Sequence, residues 1–117
     1  MPELFKNLVR FPQDDIEIME TVGAASSGQR EISIASIRCK AGWSEEPQTP
    51  DFDEYSHVLE GILIVFAEGK KYEVHPGETI LTRKGERIQY SASKEVGVFY
   101  LSICLPAFTM EATHREY

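Results

Sequence analysis

The chain has 117 residues, 42% of them hydrophobic and 26% charged, a balance that suits one folded domain spanning residues 1–117 and not a disordered chain. Nineteen acidic against 12 basic residues give a net charge of −7, which repels phosphate backbones and argues against a nucleic-acid partner. No apolar run nears the ~20 residues that cross a bilayer, and Met1-Pro2-Glu3-Leu4-Phe5-Lys6 lacks an apolar signal core, so a cytoplasmic protein with no membrane partner is expected.

Short runs of β-branched and aromatic residues, broken by glycine, proline and acidic residues, are the strand signals. Ile16–Val22 is the first. Residues 31–40 alternate, with Ile32, Ile34 and Ser36 on one face and Ser33, Ala35 and Ile37 on the other. Residues 57–67 are the most apolar stretch, interrupted only at Glu60-Gly61. Glu68-Gly69-Lys70-Lys71 reads as a hairpin turn leading into a strand over 72–74. His75-Pro76-Gly77-Glu78 is a turn, because proline presets one dihedral and glycine permits positive φ. Thr79–Thr82 is the next strand, Arg83-Lys84-Gly85-Glu86 the next turn, and residues 87–92 and 96–105 complete the set. Only residues 106–117 have room for a helical turn, with Thr109-Met110-Glu111-Ala112 the favoured place. Many short strands with regular turns predict an all-β sandwich or closed barrel. Cys39 and Cys104 form no CxxC pair and are expected to be buried thiols.

Two spacings are more specific. Gly42 is followed, five residues on, by Gln48-Thr49-Pro50, then after three more by Glu54, and after six more by Gly61. After fifteen intervening residues come Gly77, then Arg83-Lys84-Gly85, Ile88 and Ala92. This frame resembles the two motifs of the cupin superfamily, from about Glu31 to Leu105, and the stretch from Arg83 to Tyr100 is similar to the ethanolamine-utilisation cupins. The resemblance implies an antiparallel double-stranded β-helix, or jelly-roll barrel. It also implies that the family's metal ligands fall at Gln48, Pro50, Glu54 and Ile88. Of these only Glu54 is a strong donor, Gln48 offers a weak carbonyl oxygen, and Pro50 and Ile88 offer nothing. Transition metals want three or more good donors, so no metal cofactor is expected at that place.

The histidines do not repair the set. His57 lies three residues after Glu54, which puts it on the opposite face of a regular strand. His75 precedes Pro76 in a turn and His114 lies near the C-terminus, so all three are expected at the surface or an interface. Glu54 is the sharpest residue. Inside a barrel it is a candidate general base or an acceptor for a ligand hydroxyl or amine; the bland alternatives pair it with Arg38, Arg83 or Arg87, or have the strand register expose it. Period two places Tyr90 on the face of Ile88, and Tyr100, Ser102 and Cys104 on one side of the last strand. Tyr90 and Tyr100 are then either pocket lining beside Glu54 or ordinary barrel filling. Trp43 either covers the pocket or anchors its loop, and the acidic stretch from Glu45 to Glu54 is more simply solvated.

The leading expectation is a small-molecule-binding cupin without the histidine triad. Its ligand, a sugar or small acid, is expected in the lumen against Gln48, Glu54, Ile88, Tyr90, Tyr100 and Cys104. One alternative is a metal-independent isomerase, epimerase or lyase with Glu54 as base and Tyr90 or Tyr100 as acid. A second is a metalloenzyme with relocated ligands at His57 or His75. A homodimer is expected, since Ile62-Leu63-Ile64-Val65-Phe66 is apolar on both faces.

Overall fold

The computed structural model describes residues 1–117, apart from the side chain of Pro12. Nine strands are formed: β1 (Val9–Pro12), β2 (Ile16–Val22), β3 (Ser33–Cys39), β4 (Asp53–Gly61), β5 (Leu63–Ala67), β6 (Lys70–Val74), β7 (Thr79–Thr82), β8 (Ile88–Ala92) and β9 (Val98–Leu105). A single turn of helix, α1 (Met110–Thr113), follows, capped by the Thr109 hydroxyl accepting from the Ala112 N–H. One sheet runs β1-β2-β3-β9-β4-β7 and the other β6-β5-β8, with every pairing antiparallel. The two sheets face each other around one core, the jelly-roll arrangement that the sequence spacing implies. Among the described residues no helix is long and apolar enough to cross a membrane.

Local chemistry accounts for the differences from the sequence expectation. The β5–β6 turn is only Glu68-Gly69, at φ 53° and 73°, so Lys70 and Lys71 belong to β6, where they pair with Ala67 and Phe66. A type I′ hairpin turn needs positive φ at both central positions, and the glycine supplies one of them without strain. The apolar run 57–67 is two strands, not one. Gly61, at φ 77°, turns the chain between them, and a Cβ there would collide with the carbonyl oxygen of Gly97. Gly97 is equally confined, since its own Cβ would meet the carbonyl oxygen of Cys39. β1 has no counterpart in the sequence reading; Pro12 and its short alternation hide a strand that pairs only with β2, at the sheet edge.

Period-two alternation fills the interior. Ile37, Val58, Leu63, Val65, Val74, Ala92 and Val98 pack together as apolar core, while Glu20, Ser33, Glu54, Ser56, Thr82 and Ser102 are also buried. The outward residues of β9, Phe99, Leu101 and Ile103, are only half buried although they are the more uniformly apolar set. The mixed set Val98, Tyr100, Ser102 and Cys104 faces inward. Cys39 and Cys104 are free buried thiols, and burial pushes Cys39 up to about 12 and Cys104 higher still.

Candidate functional site in the barrel lumen

Strand register assembles the site. On β4 the inward residues are Glu54, Ser56 and Val58, and on β9 they face Cys104, Ser102 and Tyr100 respectively. On its other side Glu54 pairs with Thr82 of β7. β8 contributes Tyr90 from the second sheet. Glu54 is therefore enclosed by hydroxyls: Ser102 Oγ donates to its Oε2 at 2.8 Å, Ser56 Oγ to the same oxygen at 3.3 Å, and the Tyr90 hydroxyl to Oε1 at 3.3 Å. The Tyr90 oxygen also lies 2.7 Å from Thr82 Oγ1. With Tyr90 donating to Glu54, Thr82 donates to Tyr90, and the cage is a directed relay.

Burial holds the Glu54 carboxyl above the ordinary carboxylate range, and the three hydroxyl donors pull against that rise. The same burial, reinforced by the nearby Glu54 charge, keeps both Tyr90 and Tyr100 protonated well above their usual range. Glu54, Tyr90, Tyr100, Ser102, Gln48 and Trp43 all line one cavity of about 280 Å³. Ile88 and Cys104, both expected at the ligand, are buried but do not line it: Ile88 is engaged through its backbone with Gln48, and Cys104 lies behind Ser102, whose Oγ is 3.6 Å from its Sγ.

A second carboxylate stands at the mouth. Glu45 accepts from Gln48 Nε2 at 2.8 Å and pairs with Arg115 Nη2 at 2.7 Å. Burial raises Glu45 to about 7, with Arg115 pulling it down and the Glu54 charge pushing it up. Arg115 arrives on a C-terminal strap that lies along the loop from Pro47 to Asp51. There the Thr49 N–H donates to the Thr113 carbonyl at 3.1 Å, Asp51 N–H to Ala112 at 2.8 Å, and Glu116 N–H to Pro47 at 2.8 Å. A third acid, Glu20, also borders the cavity, but its Oε2 accepts the Ser26 N–H at 2.8 Å and the Ala25 N–H at 3.1 Å, which ties it to the turn after β2.

The arginine partners proposed for Glu54 are engaged elsewhere. Arg38 lies 3.7 Å from Glu60 and 4.1 Å above the Phe99 ring, Arg87 pairs with Glu116 at 2.7 Å, and Arg83 is exposed. His57 faces away from Glu54 and meets Thr79 Oγ1 at 2.8 Å. His75 is exposed and His114 lies 2.6 Å from Asp51. Relocated metal ligands at His57 or His75 are thus not brought to Glu54, and among the described residues no three His, Cys, Asp or Glu side chains cluster as a metal site. Sequence reasoning passed over Ser102, Ser56 and Thr82 as site residues, although period two from Tyr100 and Glu54 places the two serines. It took Glu45 for a solvated loop acid and gave Arg115 no role, because their meeting depends on the path of the C-terminal segment.

Two antiparallel sheets facing each other around a lumen that holds the buried carboxyl of Glu54 are the architecture of a cupin. The chain belongs to the family of the ethanolamine utilisation protein EutQ, which matches residues 34–108. It is similar in fold to the Clostridium difficile EutQ protein, at a TM-score of 0.65 and 20% identity over 87% of this chain and 73% of that one. It is also similar to oxalate decarboxylase from Bacillus subtilis, at a TM-score of 0.79 and 16% identity over 95% of this chain and 30% of that one. In sequence it is 39% identical over 106 residues to an endoribonuclease YbeY of Myxococcus xanthus (strain DK1622), covering 90% of this chain and 36% of that protein. The chain thus spans about a third of that relative's length.

Proposed function

We propose that this cupin binds a small polar molecule, a sugar or small acid, in the barrel lumen, with Glu54 as the group that orients it. The observation that supports this most is the carboxyl of Glu54, buried at 6% exposure, caged by Ser102, Ser56 and Tyr90, and bordering a cavity of about 280 Å³. Burial of a carboxyl costs stability, and the three hydroxyls offset that cost only in part, since Glu54 stays raised by its burial. The volume lies at the low end for small-molecule pockets, which favours a ligand smaller than a typical drug. The four positions that hold metal in metal-bearing cupins offer one carboxylate, already caged, and one amide, already bonded to Glu45, with no side-chain donor at Pro50 or Ile88. That set does not fit a transition metal, so the reading needs none. The endoribonuclease name belongs to a relative about two and a half times as long, and the acidic lumen gives no support for carrying it over.

One contact favours a catalytic version of this reading: Tyr90 reaches Glu54 at 3.3 Å, so an acid and a base border one cavity. Sugar or small-acid isomerisation, epimerisation or elimination would use Glu54 as base with Tyr90 or Tyr100 as acid. Association as a homodimer through paired sheets belongs to the same proposal, and light scattering tests it.

Thermal-shift screening with sugars and small acids, followed by calorimetric titration of the wild type and Glu54→Gln, tests the function. A lumen ligand is expected to raise the melting point of the wild type, and Glu54→Gln to weaken it by roughly tenfold or more, the reach of a hydrogen bond to a charged group. Loss of turnover with binding retained in Glu54→Gln would select the catalytic version. A ligand that binds the variant as tightly as the wild type would remove Glu54 from the site.

A further inference from the structure

The charges around the lumen do not balance. Glu20, Glu45, Glu46 and Glu54 border it, against one guanidinium, Arg115, which is engaged with Glu45 at 2.7 Å. Glu20 holds the N–H groups of Ala25 and Ser26, Glu45 holds Arg115 and Gln48, and Glu46 is exposed to water. Glu54 is the exception. It is buried and touched only by neutral hydroxyls; of the influences that pull its carboxyl down against that burial, the Arg115 charge is the weakest. Two of the hydroxyls share Oε2, which leaves Oε1 with a single bond of 3.3 Å from Tyr90. A carboxylate oxygen accepts more than one bond, so Oε1 keeps capacity for another donor.

Tyr100 is an independent sign of a guest. The residue is 3% exposed and borders the same cavity, yet its hydroxyl makes no hydrogen bond among the described residues. Nor is that hydroxyl one of the atoms shut away without a partner, which are Ser26 Oγ and Arg115 Nε, so the cavity reaches it. On the inward face of β9 it follows Ser102, the nearest donor to Glu54.

A neutral hydroxyl satisfies Glu54 and Tyr100 but leaves the surplus of carboxyls uncompensated in a poorly solvated space. A cation answers both needs. Trp43, Tyr90 and Tyr100 in the wall suit an organic cation, and among the described residues no three His, Cys, Asp or Glu side chains gather to ligate an inorganic one. We propose that the lumen takes a small hydroxylated organic cation, an amino polyol or amino sugar, whose ammonium group docks on Glu54 Oε1 and the Tyr100 oxygen. The assignment rests on the lumen-binding reading above and narrows its ligand to the cationic members of the sugar class. An ammonium group carries only donors and both oxygens accept, so the Tyr100 O–H is left to donate to a hydroxyl of the guest.

Calorimetric titration of the full chain with probes that share a skeleton and differ in charge tests the proposal: glucamine, sorbitol and gluconate, then aminopropanediol, glycerol and glycerate. At least one amine is expected to bind roughly tenfold to a hundredfold more tightly than its neutral partner, the reach of a charge-assisted hydrogen bond, with the acid weakest. Glu54→Gln keeps the shape and removes the charge, and is expected to bring the amine down to the level of the polyol. Tyr100→Phe gives up no hydrogen bond within the chain and is expected to hold the melting point while weakening the amine severalfold. A preference for the amine that survives Glu54→Gln overturns the assignment, since the general acidity of the protein then accounts for it. An amine affinity unchanged in Tyr100→Phe overturns it as well. A Glu54-dependent rise in melting point with magnesium chloride, and none with the amines, overturns it in favour of an inorganic ion. Polyols or acids that bind as tightly as the amines, and are weakened in Glu54→Gln, overturn the cation and leave the lumen site standing. If neither this panel nor the screen of sugars and small acids yields a ligand, both readings fall.

Discussion

The same two strands, β4 and β9, build opposite halves of this barrel. Where Val58 packs with Leu63, Val65 and Val98, the interior is apolar and filled. Two and four residues further along, Ser56 faces Ser102 and Glu54 faces Cys104, and the interior becomes hydrogen-bonded and hollow. Register is common to both halves; only the side chains change. One half therefore contributes stability by removing apolar surface from water, roughly 1.5–3 kcal/mol for each large side chain. The other must first satisfy its polar groups and gains little beyond that. Among the described residues only Ser26 Oγ and Arg115 Nε are buried side-chain polar atoms without a partner, so the polar half is almost completely satisfied before any ligand arrives.

The contrast can be broken by mutation. Leu63→Ala, at a fully buried site, is expected to cost about 3 kcal/mol in urea titration, from lost transfer energy and a cavity. Equal cost for Ser56→Ala in the polar half would show that the two halves are not different in kind. Acidity sharpens the contrast next. Glu45 is raised from an ordinary 4.5 to about 7, so the folded state keeps a proton that the unfolded state releases. Stability is then greatest below about pH 4.5 as far as this group is concerned, falls as pH climbs, and levels off above about 7. The drop is on the order of 3 kcal/mol, and Glu54 acts in the same direction. Melting followed by circular dichroism from pH 4.5 to 8 should show the midpoint falling, with the slope reduced in Glu45→Gln. A flat wild-type profile would mean that water reaches the mouth freely.

Smaller effects follow. Tyr90→Phe removes a hydroxyl placed between Thr82 and Glu54 and is expected to destabilise by about 1–2 kcal/mol, with Glu54 rising further. Infrared detection of the carboxyl stretch in that variant reads the second effect. Least is expected outside the barrel: Arg38→Ala gives up a long surface ion pair and a contact with Phe99 and should change stability by less than about 1 kcal/mol.

Strands announce themselves where alternation is long and turns are chemically marked. Ile16–Val22 and Thr79–Thr82 have the bounds that the sequence suggests, because glycine, proline or acidic residues stop them. β1 lacks such marks, and the hairpin at Glu68-Gly69 is shorter than its polar residues imply. In the site, period two groups Tyr90 with Ile88 and Tyr100 with Ser102 and Cys104 but leaves open whether Glu54 points inward; strand closure turns all three inward and brings Tyr90 to the carboxyl. Ile88 illustrates the limit of counting. Its side chain is inward, yet the bridge to Gln48 seals it behind the cavity wall. Glu45 and Arg115 show a deeper limit: seventy residues separate them, and their pairing is carried by backbone bonds of the strap that no local pattern records.

The close backbone approaches at Gly61 and Gly97 bear on how variants of this protein are to be interpreted. Any side chain at either position drives a Cβ into a carbonyl oxygen, so replacement is intolerable whatever the ligand or reaction. In a deep mutational scan these two columns would be among the most depleted, and selection in nature would leave them nearly constant for the same reason. Neither form of intolerance marks a binding residue. Cellular abundance measured beside activity separates them from Glu54, where depletion without loss of folded protein would be the signature of use.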